Sequence, residues 1–285
     1  MEDKIRRISA ECVEETVKDL LIEANRRLPS DAVECIHHAK CAETNALAQQ
    51  VLTTLCDNLS AAENMGVPIC QDTGMAVIFA EVGQNVHIEG ATLAEAVDRG
   101  CARAYVEGAM RCSVVSDPLY DRKNTNDNTP AILHITTVPG DQLRITVAPK
   151  GFGSENMSQL RMMTPAASEE DVVDFVVESV KRAGSNPCPP ILVGVGIGGD
   201  FEQCALLAKR ALIRDVSDTN EDPRYAALET KILERINSLG IGPQGFGGDT
   251  TAFAVKVMYA PTHIAGLPVA VNINCHVMRH ATKII

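Results

Sequence analysis

Three of the ten cysteines stand in neighbourhoods unlike those of the other seven. Cys70 lies in Val67-Pro68-Ile69-Cys70-Gln71-Asp72-Thr73-Gly74, Cys188 in Asn186-Pro187-Cys188-Pro189-Pro190, and Cys275 in Asn272-Ile273-Asn274-Cys275-His276. Each falls at a loop-like junction beside an apolar run, and prolines fix φ and withhold an N–H, which makes stiff bends. Three thiolates on rigid loops can hold three irons of a 4Fe-4S cube and leave the fourth open to substrate. An electron-transfer cofactor then becomes a Lewis acid. The chain has no Cys-x-x-Cys, so the local signature of a zinc or ferredoxin-type site is missing. Cys12, Cys35, Cys41, Cys56, Cys101, Cys112 and Cys204 sit in helix-like stretches and read as small buried hydrophobes.

The elements that must carry these loops follow from periodicity. Apolar residues at helical spacing (Val13, Val17, Leu20 and Leu21, then Ala46, Val51, Leu52 and Leu55) predict that residues 1–65 are mainly helical. A strand is expected at Met75–Phe79, and Thr92-Leu93-Ala94-Glu95 has the form of a capping box opening a helix to about Ala109. Ala131–Val138 and Leu143–Ala148, separated by Pro139-Gly140-Asp141-Gln142, predict a β-hairpin. Ser168 caps a helix with a valine stripe that Gly184 ends. Ile191-Leu192-Val193 leads through glycines into a helix over 201–212, followed by a helix over 224–239 and strands at 253–259 and 269–273. No internal repeat and no low-complexity linker is visible. The expected fold class is α+β: a helical N-terminal layer, then mixed, largely antiparallel sheets with packed helices.

Composition narrows the function classes. A chain of 285 residues, 45% hydrophobic and 22% charged, suits a globular fold with a sizeable core. The charged start Met1-Glu2-Asp3-Lys4 and the lack of long apolar runs predict neither export nor membrane insertion. Scattered cysteines then fit a reducing cytoplasm. A net charge of -11 argues against a nucleic-acid partner. An anionic substrate would need local arginines.

Two motifs suggest other chemistry and are set aside. Gly194-Val195-Gly196-Ile197-Gly198-Gly199 fits a dinucleotide-binding fingerprint, but the second strand ending at a ribose-binding acid is missing. Close backbone approach to a neighbouring element accounts better for these glycines. Asp72-Thr73-Gly74 is the aspartic-protease triplet, yet that chemistry needs two such carboxylates and the chain has no second one.

The motifs Cys70-Gln71-Asp72-Thr73-Gly74, Asp117-Pro118-Leu119, Asn126-Asp127-Asn128-Thr129-Pro130, Lys150-Gly151-Phe152-Gly153-Ser154-Glu155-Asn156, Cys188-Pro189-Pro190, Gly240-Ile241-Gly242-Pro243-Gln244-Gly245 and Cys275-His276-Val277-Met278-Arg279-His280 together resemble the iron-sulfur class of fumarate hydratases. The likeness runs in order from about residue 40 to the end. It covers only the N-terminal part of the one-chain enzymes, so the chain looks like the alpha subunit of the two-subunit form. It would be one cluster-binding domain over 1–285. L-tartrate dehydratase is the close relative, and Ser154-Glu155-Asn156 with His276 favours the fumarase side. A cluster-carrying or dinucleotide-binding module without catalysis of its own is the competing class.

The resemblance implies roles. Cys70, Cys188 and Cys275 would ligate a 4Fe-4S cluster. Asp72 would move the proton, where its residue type alone suggests an Asx turn before a glycine. Gln71 would contact the dicarboxylate, and Arg111 would clamp a carboxylate with two parallel hydrogen bonds, although an arginine after a helix also answers the helix dipole. Gly153 would offer its backbone N–H. His263 would be the active-site histidine, whereas alone it reads as a structural imidazole. The remaining cations would come from a beta subunit in an alpha-beta hetero-oligomer, because the groups named here are too few for the charge that develops in the transition state.

Overall fold

The computed structural model describes residues 5–285, which divide into two compact units. The first is built from residues 5–28, Ala61–Gly151 and Arg279–Ile285, the second from Pro29–Ser60 and Phe152–Met278. The architecture is mixed α+β with sheets of mixed orientation.

In the first unit, strand β1 (Arg6–Ser9) pairs in parallel with β3 (Val86–Glu89). Ser9 then caps helix α1 (Ala10–Arg26) through the Cys12 N–H. A four-stranded sheet has the order β10-β5-β2-β4, from β2 (Met75–Gly83), β4 (Ile132–Val138), β5 (Leu143–Lys150) and β10 (Ala281–Ile284). Helix α4 (Leu93–Glu107) opens on the expected box, Thr92 and Glu95 each satisfying the other's backbone N–H. Val13, Val17, Leu20 and Leu21 of α1 and Ala96, Cys101, Ala104 and Tyr105 of α4 bury against Ile78, Ile145 and Val147 of the sheet. Where α1 crosses α4, a Cβ at Gly100 would stand 2.5 Å from the Glu14 carbonyl oxygen.

The predicted hairpin does not form. β4 and β5 flank β2, which pairs with β4 in parallel and with β5 antiparallel. The Pro139–Gln142 turn passes over the end of β2, whose Gly83 N–H reaches Gln142 O at 2.8 Å. A run of buried residues from Ala76 to Ala80 can be covered only in the sheet interior, while half-exposed β4 suits the edge.

The second unit contains helices α2 (Ser30–Ala42) and the start of α3 (Ala46–Met65), the short turn of helix α5 (Phe152–Glu155), and strand β6 (Gln159–Met163). Helix α6 (Glu169–Ala183), strand β7 (Ile191–Gly199), helices α7 (Phe201–Ala211) and α8 (Pro223–Asn237), and strands β8 (Ala252–Thr262) and β9 (Leu267–Asn274) complete it. Its sheet has the order β6-β9-β7-β8, with β7 parallel to β8 and antiparallel to β9. The α6 valines, Ile232 and Ile236 of α8, and Val193, Val195, Val255, Val271 and Ile273 form the core. Gly194 and Gly196 lie inside β7, where a Cβ would stand 2.2 Å from Ala208 O and 2.1 Å from Cys204 O of α7. These glycines serve close packing of a helix on a strand, as their sequence reading expects.

The two units share the order and orientation of their sheet strands. A central strand (β2, β7) has a parallel neighbour (β4, β8) on one side and an antiparallel one (β5, β9) on the other, with an outer edge strand that comes last in the chain in the first unit (β10) and first in the second (β6). Cys70 and Cys188 both precede the central strand of their own unit, and Cys275 follows the antiparallel strand β9. No sequence repeat announces this correspondence.

Candidate functional site

The first unit carries Cys70, Gln71, Asp72 and Arg111. The loop from Cys70 to Gly74 runs between buried Ile69, whose N–H reaches Asn25 O at 2.9 Å, and the start of β2. Gln71 is exposed, and Cys70 and Asp72 are half-buried. Asp72 Oδ1 accepts the Gly74 N–H at 3.0 Å, so the Asx turn suggested by residue type is present. Asp72 Oδ2 points toward Gly151, where a Cβ would stand 3.2 Å away. A side chain at that position would crowd this oxygen. Arg111 lies beyond α4 and its Gly108 cap rather than in the last helical turn. Its backbone is stitched to the loop: Arg111 N–H donates to Thr73 Oγ1 at 3.0 Å, and that hydroxyl donates to Arg111 O at 3.1 Å. The Arg111 side chain is exposed.

Residues without an assigned role in the sequence reading hold this loop. Tyr105, 1% exposed, donates its hydroxyl to Gly74 O at 2.7 Å and lies 3.1 Å from Thr73 O. Burial pushes the Tyr105 hydroxyl up from its ordinary pKa, so it remains a donor. Fully buried Asn128 donates to Gly74 O at 3.1 Å and accepts Ser113 N–H at 2.7 Å. Its φ of 62° places a non-glycine residue in the left-handed region. Buried Arg279 spreads its guanidinium over Asp72 O at 2.7 Å, Pro149 O at 3.1 Å and Asn25 Oδ1 at 3.1 Å. Asn128 and Arg279 belong to the motifs quoted above, and Tyr105 had no signal beyond its place on an apolar helix face.

The second unit carries Gly153, Cys188, His263 and Cys275. Gly153 lies in α5, where a Cβ would stand 3.3 Å from Asn186 O of the Cys188 loop. Cys188 is exposed, with φ of 53°, and its N–H reaches Ser185 O at 3.0 Å. Half-buried Cys275 follows the end of β9. The neighbouring His276 joins the two loops, its N–H 3.3 Å and its Nδ1 3.0 Å from Cys188 O. Behind them, the 242–251 loop is anchored by buried Glu43, whose carboxylate accepts Asp249 N–H at 2.9 Å and Thr250 N–H at 3.2 Å. Ser154 is buried, and Glu155 is held by Lys209 and by Asn272 Nδ2 at 2.8 Å.

His263 is not brought to the two cysteines of its own unit. It sits in the exposed β8–β9 turn, whereas Cys275 follows the far end of β9. β9 has 8 residues, so the two ends lie roughly 25 Å apart at strand rise. His263 Nδ1 accepts the Ala265 N–H at 3.1 Å, which puts the proton of the neutral ring on Nε2.

The thiols fall into chemically different sets. Burial pushes Cys35 up to about 11, Cys101 to about 12 and Cys204 to about 11, so these remain thiols at neutral pH. Cys70, Cys188 and Cys275 lie on loops, partly or wholly exposed, and all ten cysteines are free of disulfides. Against expectation, Cys12 and Cys41 are exposed on helices α1 and α2, and Cys112 is a half-buried loop residue beyond α4, because helix faces turned to solvent and the early end of α4 leave them uncovered. Among the described residues no group of three or more His, Cys, Asp and Glu side chains is gathered tightly enough for a single metal ion. Soft loop thiolates are the usual ligands of an iron-sulfur cluster. The residue type of Cys70, Cys188 and Cys275 is that of iron-sulfur donors, and the Cys188 and Cys275 loops are joined through His276. Among the described residues no helix is long and apolar enough to cross a membrane.

Comparison with known proteins adds ancestry to this geometry. The profile of the family described as Fumarate hydratase (Fumerase) matches residues 14–284. A Methanocaldococcus jannaschii protein, provisionally named L(+)-tartrate dehydratase subunit alpha, is 38% identical over 275 residues, covering 95% of this chain and 96% of its own. The L(+)-tartrate dehydratase subunit alpha of Escherichia coli K12 is 31% identical over 273 residues, covering 95% and 90%. Its counterpart in Escherichia coli UTI89 is 32% identical over 270 residues, covering 94% and 89%.

Proposed function

Because the chain belongs to the fumarate hydratase (Fumerase) family, we propose that this hydro-lyase subunit is the cluster-bearing alpha subunit of an enzyme hydrating fumarate to L-malate. Its fold is then that family's alpha-subunit domain, its location the cytoplasm, and its partner a beta subunit. The observation that carries the reading is the joining of the Cys188 and Cys275 loops through His276. Cys70, Cys188 and Cys275 would hold the 4Fe-4S cluster. When bound, the cluster supplies an iron with an open position, a Lewis acid for the substrate hydroxyl and one carboxylate oxygen.

The chain's own residues do the rest. Asp72, held in its turn by the Gly74 N–H on Oδ1, is the group we assign to the proton on the carbon next to the one that bears the reacting hydroxyl. Gly151 keeps a side chain away from its Oδ2. Gln71 and the exposed Arg111 guanidinium would bind the dicarboxylate, Arg111 with two parallel bonds to one carboxylate. The Gly153 N–H would contribute a further donor. His263 would have to act on the site of a second copy, since it stands a strand's length from Cys188 and Cys275 of its own.

L(+)-tartrate dehydration is the second reading, favoured by the names of the relatives. The Ser154-Glu155-Asn156 stretch discriminates weakly, because Ser154 is buried and Glu155 is engaged by Lys209 and Asn272. The test is anaerobic reconstitution of the chain coexpressed with its partner, followed by fumarate hydration and L(+)-tartrate dehydration assays. We expect about four irons per chain and loss of iron in Cys70→Ser, Cys188→Ser and Cys275→Ser. Full iron in all three variants would reject the cluster assignment. A loaded complex inactive on both acids would leave only a cluster-carrying module.

A further inference from the structure

Gln244 makes an unusual attachment to the Cys188 loop. Its backbone N–H and its side-chain Nε2 both donate to the Pro189 carbonyl, at 2.7 and 2.8 Å. Gln244 has φ of 54° and Cys188 has φ of 53°, so two non-glycine residues are held in the left-handed region on either side of these bonds. Gln244 Nε2 is also 3.2 Å from His276 Nδ1, which is itself 3.0 Å from Cys188 O. Whichever partner that nitrogen engages, the ring remains tied to the Cys188 loop. The next residue, Gly245, lies so close to Ser185 that a Cβ would stand 2.4 Å from the serine Cβ, and Ser185 O accepts the Cys188 N–H. The 242–251 loop is in turn pinned by the buried Glu43 carboxylate.

We infer that Gln244 and His276 form a bracket that presets the orientation of the Cys188 thiol relative to Cys275 before iron arrives. This rests on the reading of both cysteines as cluster ligands. Gln244 is a positioning residue. It acts through Pro189 and His276, as outer groups do when they fix the direction of metal ligands. A glutamine suits the task because its amide nitrogen carries two N–H donors, one for the Pro189 carbonyl and one for the imidazole in the tautomer whose Nδ1 accepts; in the other tautomer Nδ1–H donates to Cys188 O instead.

Gln244→Gly tests the bracket, because glycine accepts the left-handed backbone and keeps the backbone bond while removing the amide. Two measurements use the full chain. In the metal-free protein, hydrogen exchange at the Cys188 and His276 amides should accelerate about tenfold, the factor one net hydrogen bond sets on a local opening. The thermal unfolding midpoint should fall by only about 2–4 °C, the shift a loss of this size sets on a chain of this length, so the fold is retained. In the anaerobically reconstituted protein, iron loss to a chelator should accelerate about tenfold as well, from a starting content equal to wild type. The variant carrying both Gln244→Gly and His276→Ala should be no faster than Gln244→Gly, since removing one side of a shared bracket already opens it. Unchanged exchange at both amides overturns the proposal, as does fully additive behaviour of the two substitutions. If Gln244→Gly does not fold, His276→Ala is read in the same two assays with the same criteria. Failure of the wild-type chain to hold iron would count against the cluster reading alone, because the exchange measurement needs no metal.

Discussion

Asp72 is at once a turn residue and the proposed acid-base, and asparagine separates the two roles. It keeps an acceptor at Oδ1 for the Gly74 N–H but cannot exchange a proton as a carboxylate does. Asp72→Asn should therefore retain wild-type iron while turnover falls on the order of 100-fold. Turnover within a factor of two or so of wild type would reduce Asp72 to its turn role. The thiols give a second expectation. Cys35, Cys101 and Cys204, raised to about 11, 12 and 11, should resist alkylation at pH 8 in the folded chain and react on unfolding. Their folded-state pKa values exceed the ordinary 9.0, so the unfolded chain releases protons first as pH rises. The stability these thiols contribute is complete below pH 9 and is lost progressively above it, which a falling unfolding midpoint would show. Rapid labelling of all three in the folded state would contradict the burial.

At the scale of elements, the features legible in the sequence were those set by short-range chemistry. Thr92 with Glu95 opens α4 as the expected box, Ser168 caps α6, where Asp171 completes a box that the sequence reading did not name, and Gly184 ends α6 with φ of 54°. The hairpin failed because a turn with a good Pro-Gly signal fixes where the chain reverses, and not which strand fills the gap. β2, distant in sequence, took that place. Likewise Tyr105 gives no hint of its bonds to Gly74 and Thr73, since a tyrosine on a buried helix face reads as core until the loop beneath it is known. The Cys70 and Cys188 loops were legible because proline marks rigidity locally, and the Cys275 loop only through the apolar run before it, whereas Glu43, anchoring residues some two hundred positions away, was not. The β7 glycines lend themselves to measurement. Gly194→Ala would drive a methyl to 2.2 Å from Ala208 O, a backbone atom that cannot yield without moving α7. We expect a loss of about 3 kcal/mol or more in denaturant unfolding. A loss under about 1 kcal/mol would mean that α7 packs on β7 less tightly than described.

At the scale of the whole molecule, the shared strand order explains why Cys70 and Cys188 head equivalent strands and why His263 stands apart. β7, β8 and β9 form one sheet with Cys188 and Cys275 at one end. The turn at the other end presents His263 next to exposed Ile264, with Phe201 and Tyr259 also exposed. If His263 takes part in catalysis, a second copy must bring it to the active site, and the assembly must place two alpha subunits in reciprocal contact. Complementation decides the matter. Coexpressed with the partner subunit, His263→Ala and Cys188→Ser should each be nearly inactive alone. A complex assembled from an equal mixture should recover activity, because the hybrid joins an intact Cys188 on one copy with an intact His263 on the other. Random pairing makes half of the dimers hybrid, each with one complete site of two, so recovery should approach roughly a quarter of wild type. Absence of any recovery, with hybrid formation verified by differently tagged copies, would remove His263 from the site. Substantial activity of His263→Ala alone would do the same and would leave the turn as part of an interface without chemistry.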